Sequence, residues 1–229
     1  MKCERIPLGA QGAYLDTYFL ADSPELKAGA CRPAVVVCPG GGYAYTSDRE
    51  AEPIALALCA RGFHACVLRY PCAPARFPAA LRALAEAVAW VRAGAAENHV
   101  DPRQISVCGF SAGGHLAGSL GVFWNAPFLA AETGLAPQDM RPDKMVLCYP
   151  VITGGEFAHK GSFDNLLGAD ADAARRAEVS LEQHVTQDTP PAFLWHTYTD
   201  PGVPVENTML FAMALRRAGV PFESHIYSV

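Results

Sequence analysis

Charge is scarce in this chain. Asp, Glu, Lys and Arg make up 18% of its 229 residues, and 23 acidic side chains outnumber 18 basic ones. A nucleic-acid-binding surface needs a concentrated basic face, which a formal charge of -5 does not supply. The adjacent pairs Arg175-Arg176 and Arg216-Arg217 read as solvated helix faces. Long apolar runs are missing too: no stretch approaches the ~18 residues of a membrane-spanning helix. Residues 1–20 carry Glu4, Arg5 and Asp16 where a signal peptide requires an unbroken apolar core. The expectation is a soluble, cytoplasmic protein with neither a nucleic-acid nor a membrane partner.

Ligand spacings for metals are absent as well. The eight cysteines include no Cys-x-x-Cys, and the seven histidines form no His-Glu-x-x-His pattern. Cys38, Cys66, Cys108 and Cys148 lie in or at the end of apolar runs, where a thiol serves as a small buried hydrophobe. All eight are expected to be reduced, and neither a metal nor an organic cofactor is implied.

What is present is a sizeable core. Hydrophobic residues are 51% of the chain, enough for one domain over residues 1–229. Short apolar runs at 34–38, 64–70, 105–110, 145–151, 192–197 and 223–229 read as strands buried on both faces. Between them, 49–61, 79–96, 112–123 and 206–218 carry helical spacing. The alternation predicts an α/β fold, a mostly parallel, doubly wound sheet with helices on both faces. Two segments, 124–143 and 152–191, break the rhythm and are expected to be irregular excursions. They read equally as lid or pocket segments and as plain surface loops.

The strongest chemical signal is Gly109-Phe110-Ser111-Ala112-Gly113-Gly114. Gly-x-Ser-x-Gly alone is weak, but here it joins a strand directly to a helix. A serine on such a sharp turn projects its hydroxyl above the sheet edge as a nucleophile. The helix N-terminus beneath it favours developing negative charge. A second signal, Pro39-Gly40-Gly41-Gly42-Tyr43, follows an earlier strand without the endings of a P-loop or a dinucleotide turn. Gly41, Gly42 and Ala112 are the expected N–H donors to an oxyanion. The third is Asp200, just past the run 192–197, in the chain order Ser then Asp. A lone Asp-Pro-Gly is otherwise an ordinary turn. Tyr43 is expected to touch substrate, and Tyr45 and Trp124 either line the pocket or pack beside it.

The chain resembles the acetyl esterase, or acetyl-xylan-esterase-like, branch of the α/β-hydrolases, related to the hormone-sensitive-lipase-type carboxylesterases. The matching stretches are Val37 to Tyr43, Cys108 to His115, Cys148-Tyr149-Pro150-Val151, and Trp195-His196-Thr197 leading to Asp200 and on to Asn207. Pro39 stands where many relatives carry histidine. The resemblance implies a serine esterase that hydrolyses short acyl esters, acetyl above all and often on sugars, through an acyl-serine. A peptidase or feruloyl-type esterase on the same fold, and an inactive hydrolase-fold binding protein, remain as alternatives.

The resemblance also implies a histidine base on the loop after the last strand, followed by a covering helix. The final residues Tyr227-Ser228-Val229 precede any such loop. His64, His115, His196 and His225 are expected to sit inside elements, away from Ser111. The expectation is that the natural protein continues through that loop, and that a 229-residue form alone has near-background esterase activity.

Overall fold

An almost wholly exposed strand opens the chain, and its partner alternates between solvent and core. β1 (Lys2–Pro7) and β2 (Tyr14–Phe19) form an antiparallel hairpin, and β2 buries every second residue. The computed structural model describes residues 1–10 and 12–228. β2 adds antiparallel to β4 (His64–Arg69), and from there the sheet is parallel. β3 (Arg32–Cys38), β5 (Val100–Phe110), β6 (Lys144–Cys148), β7 (Ala192–Thr197) and β8 (Phe222–Tyr227) complete the eight-stranded order β1-β2-β4-β3-β5-β6-β7-β8. This is a mostly parallel, doubly wound α/β sheet, as the strand–helix alternation predicted. The predicted last strand ran to Val229, which lies outside the described residues; β8 itself stops at Tyr227.

The helices are α1 (Pro24–Lys27), α2 (Glu52–Cys59), α3 (Ala79–Ala93), α4 (Ala112–Phe123), α5 (Pro127–Thr133), α6 (Pro137–Met140), α7 (Lys160–Leu167), α8 (Ala173–Ala177) and α9 (Glu206–Ala218). They cover both faces of the sheet. On one, Ala34, Val36 and Cys38 of β3 pack with Leu84 and Val88 of α3, Leu116 and Leu120 of α4, and Phe211 of α9. On the other, Val35, Val37, Val67, Cys108 and Phe110 meet Ala51, with Ala55 and Cys59 of α2. All eight cysteines are free thiols, and those of β3, β4, β5 and β6 are buried.

Local chemistry explains where the elements depart from their predicted bounds. The predicted helix 49–61 divides into a 3-10 turn, Asp48–Glu50, and α2, because Ala51 leaves helical angles; Pro53 sits in the first turn of α2, where its missing N–H costs nothing. α3 stops at Ala93 rather than at residue 96, with Gly94 as its cap. The run 145–151 ends as strand at Cys148, since Tyr149 turns left-handed at φ 37°. Segment 124–143 is more regular than expected: Pro127 and Pro137 each open a short helix, a position where the missing N–H costs nothing. Segment 152–191 holds α7, α8 and a 3-10 turn at Leu181–Gln183. Asn207 anchors its start: Oδ1 accepts the N–H groups of Ile152 and Thr153 at 2.8 and 3.0 Å.

Candidate active site

Ser111 links the end of β5 to the start of α4 at φ 53°, ψ −119°, a conformation that L-residues rarely adopt. Three backbone bonds hold it there. Its N–H donates to Cys148 O at 3.0 Å, and its carbonyl accepts from Val151 and His115 N–H at 3.0 and 3.1 Å. The parallel register lines Cys38 up with Gly109, and Phe110 with Cys148. The segments leaving β3, β5 and β6 therefore emerge side by side at one sheet edge.

The glycine loop stands opposite the serine. Gly41 has φ 128°, and a Cβ there would lie 2.2 Å from the carbonyl oxygen of Tyr45, so only glycine fits. Among the described residues no acceptor takes the N–H of Gly41, Gly42 or Ala112. Ser111, Gly41, Gly42 and Asp200 line one open cleft of about 400 Å³, along with Tyr45, Arg49, Glu50, Tyr149 and His159. Three larger hollows lie elsewhere, one of them an open surface hollow beside Arg5, Asp16 and Glu52. Another lies near Trp90 and Arg92, and the third is an apolar groove along Val35, Val146 and Phe193 on the sheet face.

Asp200 follows β7 on a tight loop. Its Oδ1 accepts N–H groups from Gly202 and Val203 at 2.8 and 2.9 Å, which fixes the carboxylate. Oδ2 lies 3.7 Å from His196 Nε2, but that ring is committed elsewhere. His196 Nε2–H donates to Val203 O at 2.9 Å, and its Nδ1 accepts from the Thr208 hydroxyl at 2.8 Å. It is buried between β7 and α9, and burial pushes its pKa down.

The other histidines are equally engaged. His64 takes the Leu20 N–H at Nδ1 and gives Nε2–H to His99 O, and burial lowers its pKa. His225 sits exposed on β8 against Glu223. His115 Nε2–H donates to Val179 O at 2.8 Å, and its Nδ1 accepts the Tyr43 hydroxyl at 2.8 Å. That bond corrects one expectation. Tyr43 does not face the cleft: it is 3% exposed, because φ 59° turns its ring inward onto His115 and Tyr70. Tyr45 is the exposed aromatic at the cleft, while Trp124 is buried with its indole N–H on Asp188 O.

Burial pushes the His115 imidazole down to about 4, against 6.5 in the unfolded chain. The unfolded state therefore takes up a proton over a range in which the native ring stays neutral. This contribution is whole above pH 6.5 and is lost as pH falls toward 4, about 3 kcal/mol in all. Urea unfolding across that range should show a steep fall in midpoint, and His115→Gln should flatten it. Equal slopes for the two proteins would contradict the assignment.

His159, Glu50 and Tyr149 are among the cleft residues that received no role from the sequence. His159 caps α7, its Nδ1 accepting the Ser162 hydroxyl at 2.8 Å and the Ser162 N–H at 3.3 Å. Glu50 and Tyr149 join at 2.7 Å across 99 residues of chain. Their roles depend on long-range contacts; only the His-x-x-Ser spacing at 159–162 gives a local hint, that of a helix cap.

Comparison with known proteins fits this geometry. A sequence model for BD-FAE matches residues 21–215. The chain belongs to the BD-FAE family. Among its relatives, endo-1,4-beta-xylanase B of Butyrivibrio fibrisolvens is 37% identical over 205 residues, 86% of this chain and 31% of that protein. The acetylxylan esterase of Xylanibacter ruminicola is 29% identical over 220 residues, 91% of this chain and 41% of that one. An acetyl ester-xyloside bifunctional hydrolase from Caldicellulosiruptor lactoaceticus superposes with a TM-score of 0.85 at 39% identity, covering 98% of this chain and 85% of that structure. The chain spans about a third to a half of the length of the curated relatives it matches. The BD-FAE assignment bears out the resemblance carried by the serine turn and the glycine loop.

Proposed function

We propose that this BD-FAE chain is a serine esterase that removes short acyl groups, acetyl foremost, from carbohydrate esters through an acyl-serine intermediate. One observation carries the reading: Ser111 stands on a strained turn in the same cleft as Gly41 and Gly42, whose N–H groups have no acceptor among the described residues, with Asp200 at its rim. Ser111 Oγ attacks the ester carbonyl. The oxygen that gains charge is received by Gly41, Gly42 and Ala112 N–H, each such donor lowering the barrier by about 3 kcal/mol. The alcohol leaves with the proton taken from Ser111, and water then releases the acid.

The proton needs a base, and Asp200 is placed to orient one. Oδ1 is tied to its own loop, which leaves Oδ2 to accept an imidazole N–H and stabilise its cation. The β7–β8 register sets Thr197 beside Tyr227, so the end of β8 lies next to the start of the Asp200 loop. A histidine on the loop following β8, as the family resemblance implies, fits that place. The acetyl and xylan-linked names of the relatives support the substrate class, as does the modest cleft.

A second reading, a hydrolase-fold binding protein, is favoured by the full engagement of both ring nitrogens in His64, His115 and His196. A substrate panel on the full gene product separates the readings. It comprises nitrophenyl esters from acetyl to octanoyl, acetylated xylan, a feruloyl ester and an aminoacyl anilide. The acetyl ester should exceed the octanoyl ester about tenfold or more in kcat/KM, with acetate released from xylan. A preference for the anilide or the feruloyl ester would overturn the substrate assignment, and no turnover of any would favour the binding protein.

A further inference from the structure

An acidic residue just before a helix ordinarily complements the helix dipole. Glu50, in the turn before α2, does something else. Its Oε2 accepts the Gly40 N–H at 2.6 Å and its Oε1 accepts the Tyr149 hydroxyl at 2.7 Å. Gly40 opens the glycine loop. Tyr149 directly follows Cys148, whose carbonyl holds the Ser111 N–H at 3.0 Å. One carboxylate thus bridges the two chain segments that flank the nucleophile.

The bridge lies hard against Ser111. A Cβ on Gly40 would sit 2.7 Å from Glu50 Oε2, 2.8 Å from Phe110 O and 3.1 Å from Ser111 Cβ. The main chain at Gly40 is therefore pressed between the carboxylate and the serine turn. Tyr149 is itself fixed, since its N–H donates to Trp195 O at 2.7 Å in β7. At the far end of the loop, Asn165 Nδ2 donates to Gly42 O at 2.9 Å. Three successive glycines have no side chains to pack, so such outside anchors must set their position.

We propose that Glu50 is a positioning residue of this site: by tying Gly40 to Tyr149 it holds the Gly41 and Gly42 N–H groups at the reach that a tetrahedral oxyanion on Ser111 requires. The proposal rests on the serine esterase reading above. Oxyanion donors act by being in place before charge develops, and a shift of about 1 Å costs on the order of 100-fold in rate. Hydrogen bonds to a carboxylate are short and strong enough to maintain that placement. The effect belongs to the transition state, so it falls on kcat rather than on KM.

The test uses the full gene product with a short-chain nitrophenyl ester, measuring kcat, KM and Tm for Glu50→Ala, Glu50→Gln, Tyr149→Phe and the Glu50→Ala/Tyr149→Phe double variant beside Ser111→Ala. Glu50→Ala should lower kcat on the order of 100-fold, with KM within about threefold of wild type. Glu50→Gln keeps an oxygen for the Gly40 N–H and should recover kcat to within about tenfold of wild type. The double variant should be no slower than Glu50→Ala alone, because one bridge has been cut twice. Unchanged kcat in Glu50→Ala, a loss confined to KM, or a glutamine variant as slow as the alanine would overturn the proposal. If Glu50→Ala does not fold, Glu50→Gln and Tyr149→Phe decide: wild-type kcat in Tyr149→Phe sinks the bridge. Equal inactivity of wild type and Ser111→Ala would instead defeat the esterase reading itself.

Discussion

Ser111→Ala in the full gene product is expected to lower kcat for a short acyl ester by about 10⁶-fold, and Ser111→Gly to match it while making the protein more stable. On the proposed mechanism, loss of activity follows from removing the atom that forms the acyl bond. The gain in stability follows from the backbone. At φ 53°, ψ −119°, a residue with a Cβ is strained by about 1–3 kcal/mol, and glycine is relieved of that strain. Glycine also has more freedom to lose on folding, about 0.4–1 kcal/mol, so the net gain should be about 1 kcal/mol. Urea midpoints of the three proteins check this directly. A glycine variant less stable than wild type would show that the turn stores no strain.

Gly113→Ala is expected to be among the most damaging single methyl additions at the described glycines. Its Cβ would lie 2.1 Å from Cys38 O and 2.4 Å from Pro39 O, both main-chain atoms at the end of β3. No side-chain rotation relieves such a clash, so α4 must back away from the sheet or the glycine loop must move. The cost should be at least about 4 kcal/mol, seen as insoluble protein or a collapsed denaturation midpoint. Gly134→Ala is the control. Gly134 caps α5 at φ 69° with nothing within 4 Å of the added carbon, so only backbone strain of about 1 kcal/mol applies. Equal stability of the two variants would mean that α4 does not pack on β3 as closely as described.

The same contrast shows why some of the site was legible in the residue order and some was not. β5, Ser111 and α4 are contiguous, so the apolar run, the small residues and the helical spacing all point to one turn. Asp200 is readable for a similar reason, since it lies just beyond a strand with clear ends. The β1–β2 hairpin went unrecognised because β1 is almost wholly exposed and mixes charge with apolar residues, which leaves little periodicity. Pro127 and Pro137 looked like breaks, whereas each opens a helix. Tyr43 was misplaced because its direction depends on a left-handed φ of 59° and on a partner 72 residues away. Glu50 and His159 gain meaning only once the sheet brings distant loops to one edge.

The central claim is that Ser111 is the nucleophile, presented to the amides of Gly41 and Gly42, which have no acceptor among the described residues. A fluorophosphonate probe tests it most directly, because it reacts with an activated serine hydroxyl and leaves a covalent mass. The full gene product should acquire one adduct, mapped by peptide mass spectrometry to the segment carrying Ser111 and absent from Ser111→Ala. An ester-hydrolysing protein labelled at another residue, or not at all, would contradict the account.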